Sequence, residues 1–289
     1  MSVVKLNISA EDYHLLSMAY EALEHPSFAA RLSSLIGLPL EQALKLMPRR
    51  WQAGLHRAAE AAVARATEVA ISSLGEGDAG RPARSRLHQV LAMGAGAAGG
   101  ALGLPGLVAE LPVTTVLMLR AIADIARSHG EDLSTPEARM ACMAVFAFGG
   151  RTHDDDYAEI GYYEVRAALA LHFTSAVERA MAGGGPAKGV PAVVDVVRLI
   201  AGRFGVRVSD KAAAQFVPVV GAGAGALVNA VFMQHFQSVA QGHFTLRALE
   251  RDYGRDAIES AYRAMADSEG ITRYSVKPRP RRARRRAGT

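Results

Sequence analysis

Two stretches decide the reading of the fold: residues 93–104, MGAGAAGGALGL, and residues 219–228, VVGAGAGALV. Each sits inside a run free of Asp, Glu, Lys and Arg, residues 87–109 in the first case and 212–246 in the second. The small residues recur four apart: Gly96 with Gly100, Gly99 with Gly103, Ala95 with Gly99, Gly221 with Gly225, Ala222 with Ala226. On a helix, residues four apart stack on one face, so each stretch offers a smooth surface that another backbone can approach closely. Glycine in a helix interior costs roughly 1 kcal/mol relative to alanine, and six glycines fall between Gly94 and Gly106. Such a penalty requires compensation, either close packing against a neighbouring helix or insertion into a membrane.

The rest of the chain follows the same helical pattern. Half of the 289 residues are apolar but only 6% are aromatic, so Ala, Val and Leu supply the bulk. Ser9, with Asp12 three residues on, predicts the N-cap of a first helix ending near His25 before Pro26. A short helix is expected over residues 27–36, and Pro39 and Pro48 are each placed to begin another, because a missing amide hydrogen costs nothing in a first turn. The second of these should run over 49–74, up to the loop GEGDAGRP. Pro112 is expected to open a helix reaching His129, with Gly130 as its left-handed C-cap. Ser134 and Glu137 form a capping-box pattern for a helix over 135–148, and a further helix is expected over 161–181. Beyond the loop GGGPAKGVP, helices are expected over 191–203 and from Ser209, with VRV between them as a candidate strand. The second glycine stretch then continues helically to Tyr253, and a last helix spans 254–267. Roughly ten helices and no sustained alternation of period two make the fold class all-α, a multi-helix bundle. The expected organisation is an N-terminal helical region (1–82), a main helical domain (83–268) and a polybasic tail (269–289).

Charge is distributed unevenly. Residues 273–289 hold eight basic residues and no acidic one, with Arg281, Arg282, Arg284, Arg285 and Arg286 as the densest run. That leaves 25 of the 33 basic residues against 28 acidic ones in the body, so a folded nucleic-acid surface is not expected there. The tail suits an anionic lipid surface, where each Lys or Arg contributes on the order of 1 kcal/mol, and a nucleic-acid contact by the tail stays open. No apolar core of signal-peptide length opens the chain, which predicts that it is not exported by that route. The one cysteine, Cys142, lies in an apolar context typical of a core residue and fits a reducing compartment.

Candidate chemistry is sparse. Glu110, Arg120 and Asp124 are the only charges between Arg86 and Arg127. Arg120 and Asp124 stand four apart and can pair along one helix face, fixing how helices dock or forming a polar site in an apolar setting. His243 and Arg247 are also four apart, and Glu250 could orient His243 as a base. His153, Asp154, Asp155 and Asp156 offer ligand types suited to a divalent metal, with His172, His235 or His243 able to join only through folding. No HExxH, CxxC, P-loop or GxSxG pattern is present, and GAGAAG lacks the preceding strand of a dinucleotide site, so no cofactor is expected.

The blocks ELPVTTVLMLRAIADIARSHGEDL (110–133), MAVFAFGG (143–150), GYYEVRAALA (161–170) and VVGAGAGALVNAVFMQHFQSVAQGHFTLRALERDYG (219–254), in that order, resemble the EcsC family of bacterial proteins over roughly residues 85–265. That family is named for a protein encoded beside the two components of an ABC transporter. The resemblance therefore implies a membrane-connected setting and a transporter-linked partner, but no established reaction and no catalytic residues. The expectation is a non-enzymatic protein at the inner face of the cytoplasmic membrane, peripherally held and accessory to transport or envelope processes. A soluble helical carrier of an apolar ligand and a metal-assisted hydrolase are the alternatives.

Overall fold

The computed structural model describes residues 8–73, 82–101, 103–148, 161–181, 186–216 and 222–268. Among these residues the secondary structure is eleven α-helices and one 3-10 turn, with no strand. They run α1 (Ala10–Glu24), α2 (Phe28–Ile36), α3 (Leu40–Leu46), α4 (Arg49–Ser73), α5 (Ser85–Ala101), α6 (Gly103–Ser128), α7 (Pro136–Ala144), α8 (Tyr162–Met181), α9 (Pro186–Phe216), α10 (Ala222–Tyr253) and α11 (Arg255–Ser268). The fold is all-α.

Local signals explain most helix ends. The Ser9 hydroxyl oxygen accepts the Asp12 amide at 3.0 Å and donates to the Asp12 carboxylate at 2.7 Å, which caps α1. Gly130 closes α6 with φ +79°, a conformation costly for residues bearing a Cβ. Before α7 the capping oxygen is that of Thr135, not Ser134: it accepts the Ala138 amide at 3.2 Å. The helix stops at Ala144, and Val145–Ala147 tighten into the 3-10 turn before Phe148 becomes extended.

Three boundaries differ from expectation: α9 begins at Pro186, inside the stretch GGGPAKGVP expected as a loop, and at two others tertiary packing outweighs a local breaker. Pro112 does not open a helix; α6 begins nine residues earlier, at Gly103, and carries Pro112 in its interior. The lost amide bond and ring clash cost about 3 kcal/mol, against the full burial of Leu107, Leu111, Met118 and Leu119 on that helix. The VRV segment is not a strand, because α9 is continuous across it. Ile200, Phe204, Val208 and Ala212, each four residues from the last, form a buried stripe that helical geometry alone keeps on one side.

A single buried cluster joins the helices on both sides of the 74–81 interval, with Leu16, Leu55 and Val63 in the same core as Met118 and Phe236. Its aromatic centre is Phe146, Phe204, Phe232 and Phe236, with ring centroids 5.2–6.0 Å apart. The longest helix, α10, crosses this centre and packs most extensively on α5, while α5 also packs on α6 and α9 packs on α4 and α8.

Candidate functional site

The two glycine stretches meet face to face where α5 lies on α10. A methyl group built on Gly100 would stand 2.8 Å from the Gly225 Cα, and one on Gly225 would overlap the Gly96 carbonyl oxygen. The side chains missing from α5 are replaced by those of its neighbours. The space beside Gly96 holds the Asn229 side chain of α10, and the space beside Gly99 holds the Glu110 carboxylate of α6. By contrast Gly94 and Gly223 are exposed, and a methyl group on either would meet nothing within 4 Å. Only some of the glycines are therefore required by packing, and Gly221 lies outside the described residues.

Glu110 is the centre of a buried polar knot beneath this seam. Its Oε1 accepts hydrogen bonds from Lys211 Nζ at 3.0 Å, Asn229 Nδ2 at 2.6 Å and Thr114 Oγ1 at 2.5 Å. Asn229 Nδ2 also donates to the Ala92 carbonyl at 2.8 Å, tying α10 to α5. Lys211 and Asn229 are fully buried, and Lys211 Nζ stands 5.0 Å from the centroid of the Phe232 ring. Burial pulls the Lys211 pKa below its ordinary value, and the Glu110 carboxylate only partly offsets that. Glu110 Oε2 and Asn229 Oδ1 have no hydrogen-bond partner among the described residues. The knot links α5, α6, α9 and α10 and fixes how those helices dock. Lys211 and Asn229 were not singled out in the sequence. The available signals were that Lys211 is the last charge before the second uncharged run, and that Asn229 interrupts an Ala-Val-Leu segment.

The other sequence candidates fall into separate places. Arg120 does not pair with Asp124: Arg120 is exposed, while Asp124 receives His88 Nε2 at 2.9 Å and Arg127 Nη1 at 3.2 Å. Helical spacing permits the first pair, but His88 on α5 offers Asp124 a more buried partner. Arg247 makes two hydrogen bonds to Glu131, both at 2.8 Å, and Arg251 adds another at 2.6 Å. Burial raises the Glu131 pKa, yet the two guanidinium groups outweigh it and hold the carboxyl below its usual range.

His243 is oriented by Tyr162, whose hydroxyl lies 2.7 Å from Nδ1, and not by Glu250. Glu250 is occupied by a bidentate pair with Arg166, both bonds 2.7 Å, and by the Tyr163 hydroxyl at 3.0 Å. The geometry thus removes the base-and-orienter arrangement and makes His243 a packing residue against Phe148 and Phe244. Cys142 is buried, and burial pushes its thiol up to about 12, so it holds no thiolate at neutral pH. His153, Asp154 and Asp156 lie outside the described residues, as do Arg281, Arg282, Arg284, Arg285 and Arg286. Among the described residues no group of three His, Cys, Asp or Glu side chains is placed to hold a metal.

Two buried histidines predict a specific pH response. Burial first, then nearby Arg207 and Arg31 for His235 and Arg166 and Arg247 for His243, keep both well below the ordinary value of 6.5. Below about pH 6.5 the unfolded chain binds protons that the folded one does not, so stability falls as the pH drops. The two together should remove up to about 3 kcal/mol between about pH 7.5 and pH 5.5. Urea midpoints across that range measure it, and a flat profile contradicts the assignment. The Glu131 contribution is separate, because a depressed carboxyl loses its stabilising effect only as the pH falls below 4.5.

No curated protein and no solved structure matched the chain significantly. The sequence profile of the EcsC protein family matches residues 21–249. The match starts in α1, well before the blocks quoted above, and ends within α10, so it takes in Gly96, Gly99, Gly100, Glu110, Lys211, Gly225 and Asn229. A match running from α1 through the glycine seam and its polar knot covers most of the folded bundle, and this chain belongs to the EcsC protein family.

Proposed function

We propose that this EcsC-family protein is a peripheral membrane protein without catalytic chemistry of its own, lying on the inner face of the cytoplasmic membrane as an accessory to transport or envelope processes. The observation that carries the reading is an exposed, uncharged face on α5. Leu87, Val90 and Leu91 are 48%, 64% and 46% exposed. Gly94 and Ala98, also exposed, continue the same helical face. Helices α6 and α10, both packed on α5, add Val113 and Leu227, exposed by 57% and 47%. Scattered exposed apolar residues are ordinary, but a row of them along one helix face, with the exposed Arg86 at its edge, supports an interaction surface.

The buried polar knot favours surface attachment over insertion. Residues Pro105–Ser128 form a helix long and apolar enough to span a membrane by length and composition, but most of it is buried inside the bundle. Opening the α5–α6 hairpin into lipid would strip Glu110 of Lys211 and Asn229, and a charge at the bilayer centre costs several kcal/mol. On the surface, each half-exposed Leu or Val contributes about 1 kcal/mol when covered. The eight basic residues of 273–289 add on the order of 1 kcal/mol for each one near an anionic leaflet. Two weak attachments of this kind together give reversible binding stronger than either gives alone.

Flotation with vesicles of phosphatidylcholine and phosphatidylglycerol tests this. The wild-type chain should float, and raised salt should weaken but not abolish binding, because screening acts on the tail and not on the apolar row. A Leu87→Glu/Leu91→Glu variant and a chain ending at residue 272 should each lose about tenfold or more in partitioning. Wild-type protein that stays wholly in the soluble layer overturns the reading.

A further inference from the structure

Helices α5 and α6 run antiparallel as a hairpin: Gly99, late in α5, faces Glu110, early in α6, and His88, early in α5, bonds Asp124, late in α6, at 2.9 Å. Between Arg86 and Arg120 that hairpin carries one charge, Glu110. Its arms are otherwise suited to lipid. Residues 87–101 of α5 are about 22 Å long, against a hydrocarbon core of about 30 Å, and Pro105–Ser128 of α6 is long and apolar enough to cross it. The remaining charges gather at the open end, where Arg84, Arg86, Arg120, Asp124 and Arg127 lie. That end is also tethered to α10: Gln237 Nε2 donates to the Ser85 carbonyl at 2.9 Å, and Arg247 and Arg251 hold Glu131 just past α6. The hairpin can therefore swing about its open end and stay attached.

The bonds that hold the middle of the hairpin come from outside it. Lys211 of α9 and Asn229 of α10 donate to Glu110, and Asn229 also bonds the Ala92 carbonyl. If docking were the only requirement, apolar side chains of similar volume would serve in place of Glu110 and Lys211. They would also make lipid as good a setting for the hairpin as the bundle, because acyl chains can replace apolar neighbours. Lipid cannot replace an ammonium group or an amide. Glu110 stands about 10 Å along α6 from its start, so a hairpin entering tip first would carry the carboxylate into hydrocarbon without its cation, which is strongly disfavoured. The knot is also incompletely bonded, since Glu110 Oε2 and Asn229 Oδ1 have no partner among the described residues, and it holds less firmly than a fully satisfied network. Resting on the membrane reading above, we propose that the α5–α6 hairpin is an element built to enter lipid, and that Glu110, Lys211 and Asn229 are the latch that keeps it in the bundle.

Depth-resolved quenching tests the latch. An Ala98→Cys change, at an exposed position late in α5, carries an environment-sensitive dye, while the buried Cys142 is not labelled. The full chain is mixed with vesicles of phosphatidylcholine and phosphatidylglycerol whose nitroxide quencher sits either near the headgroup or deep in the acyl chain. In the otherwise wild-type chain the shallow quencher should act and the deep one should not. In Glu110→Gln/Lys211→Met the deep quencher should act, with the inserted fraction raised at least about tenfold, because the hairpin then carries no charge. Glu110→Gln alone should do the same, and serves if the double variant does not melt cooperatively. Gly225→Ala is the control for instability: it parts α5 and α10 yet keeps both charges, so its quenching should stay shallow. Deep quenching in the wild-type chain, shallow quenching or no binding in the neutralised variants, or equally deep quenching in Gly225→Ala overturns the latch. Failure of the surface reading looks different: a wild-type chain that floats with no vesicle, beside a neutralised variant that inserts, ends peripheral attachment and leaves the latch standing.

Discussion

Gly225→Ala is expected to destabilise the protein by about 2–4 kcal/mol, whereas Gly223→Ala on the same helix should stabilise it by up to about 1 kcal/mol. The substitution is identical, so helix propensity favours alanine equally at both sites. The difference lies in what the methyl meets. At Gly223 it meets nothing within 4 Å, while at Gly225 it overlaps the Gly96 carbonyl oxygen and stands 2.8 Å from the Gly100 Cα. Those obstacles are backbone, which cannot rotate away as a side chain can. Relief requires α5 and α10 to separate, and separation would loosen the Asn229 bonds to Ala92 and Glu110. Gly100→Ala should behave like Gly225→Ala, and Gly94→Ala like Gly223→Ala. Urea midpoints for the four variants decide it; equal shifts at Gly223 and Gly225 would sink the close-packing account of the seam.

Lys211→Met is expected to cost about 3–5 kcal/mol, because it leaves the Glu110 carboxylate buried without its cation. Neither group reaches water: the Lys211 side chain is 0% exposed and that of Glu110 is 5%. The loss is therefore mostly the penalty of stranding a charge, not the worth of the pair. For that reason Glu110→Gln/Lys211→Met should recover most of the stability, since an amide in place of the carboxylate can still accept from Asn229 and Thr114. The two changes should be strongly non-additive, with a coupling of about 2–3 kcal/mol in a double-mutant cycle. A cycle that closes to zero would mean that the two side chains act independently, and the knot would lose its role in docking four helices.

The sequence showed much of the fold and part of the site. Ser9, Gly130 and the prolines preceding α3 and α4 act within one helical turn, so their meaning does not depend on what the rest of the chain does. Pro112 and the VRV segment (206–208) misled for the complementary reason. Their local cost is real, but burial of Leu107, Leu111, Phe204 and Val208 along the same helices is larger. Glu110 stood out because few charges interrupt that segment. The Arg120–Asp124 and His243–Glu250 pairings were inferred from spacing, and the structure gave Asp124 to His88 and Glu250 to Arg166.

Spacing along one helix ranks neighbours on that helix only. The amino-acid order by itself determined that this chain would be helical, where most helices would start and stop, and that two faces would be smooth enough for backbone contact. Only the tertiary structure decided that those faces meet each other, that Asn229 and Glu110 fill the places glycine leaves, and that Lys211, 101 residues away, neutralises Glu110. Caps and periodicity are set by interactions within a turn or two, whereas the partner of a buried charge is chosen by which helices pack together, a competition settled by the burial of the whole core.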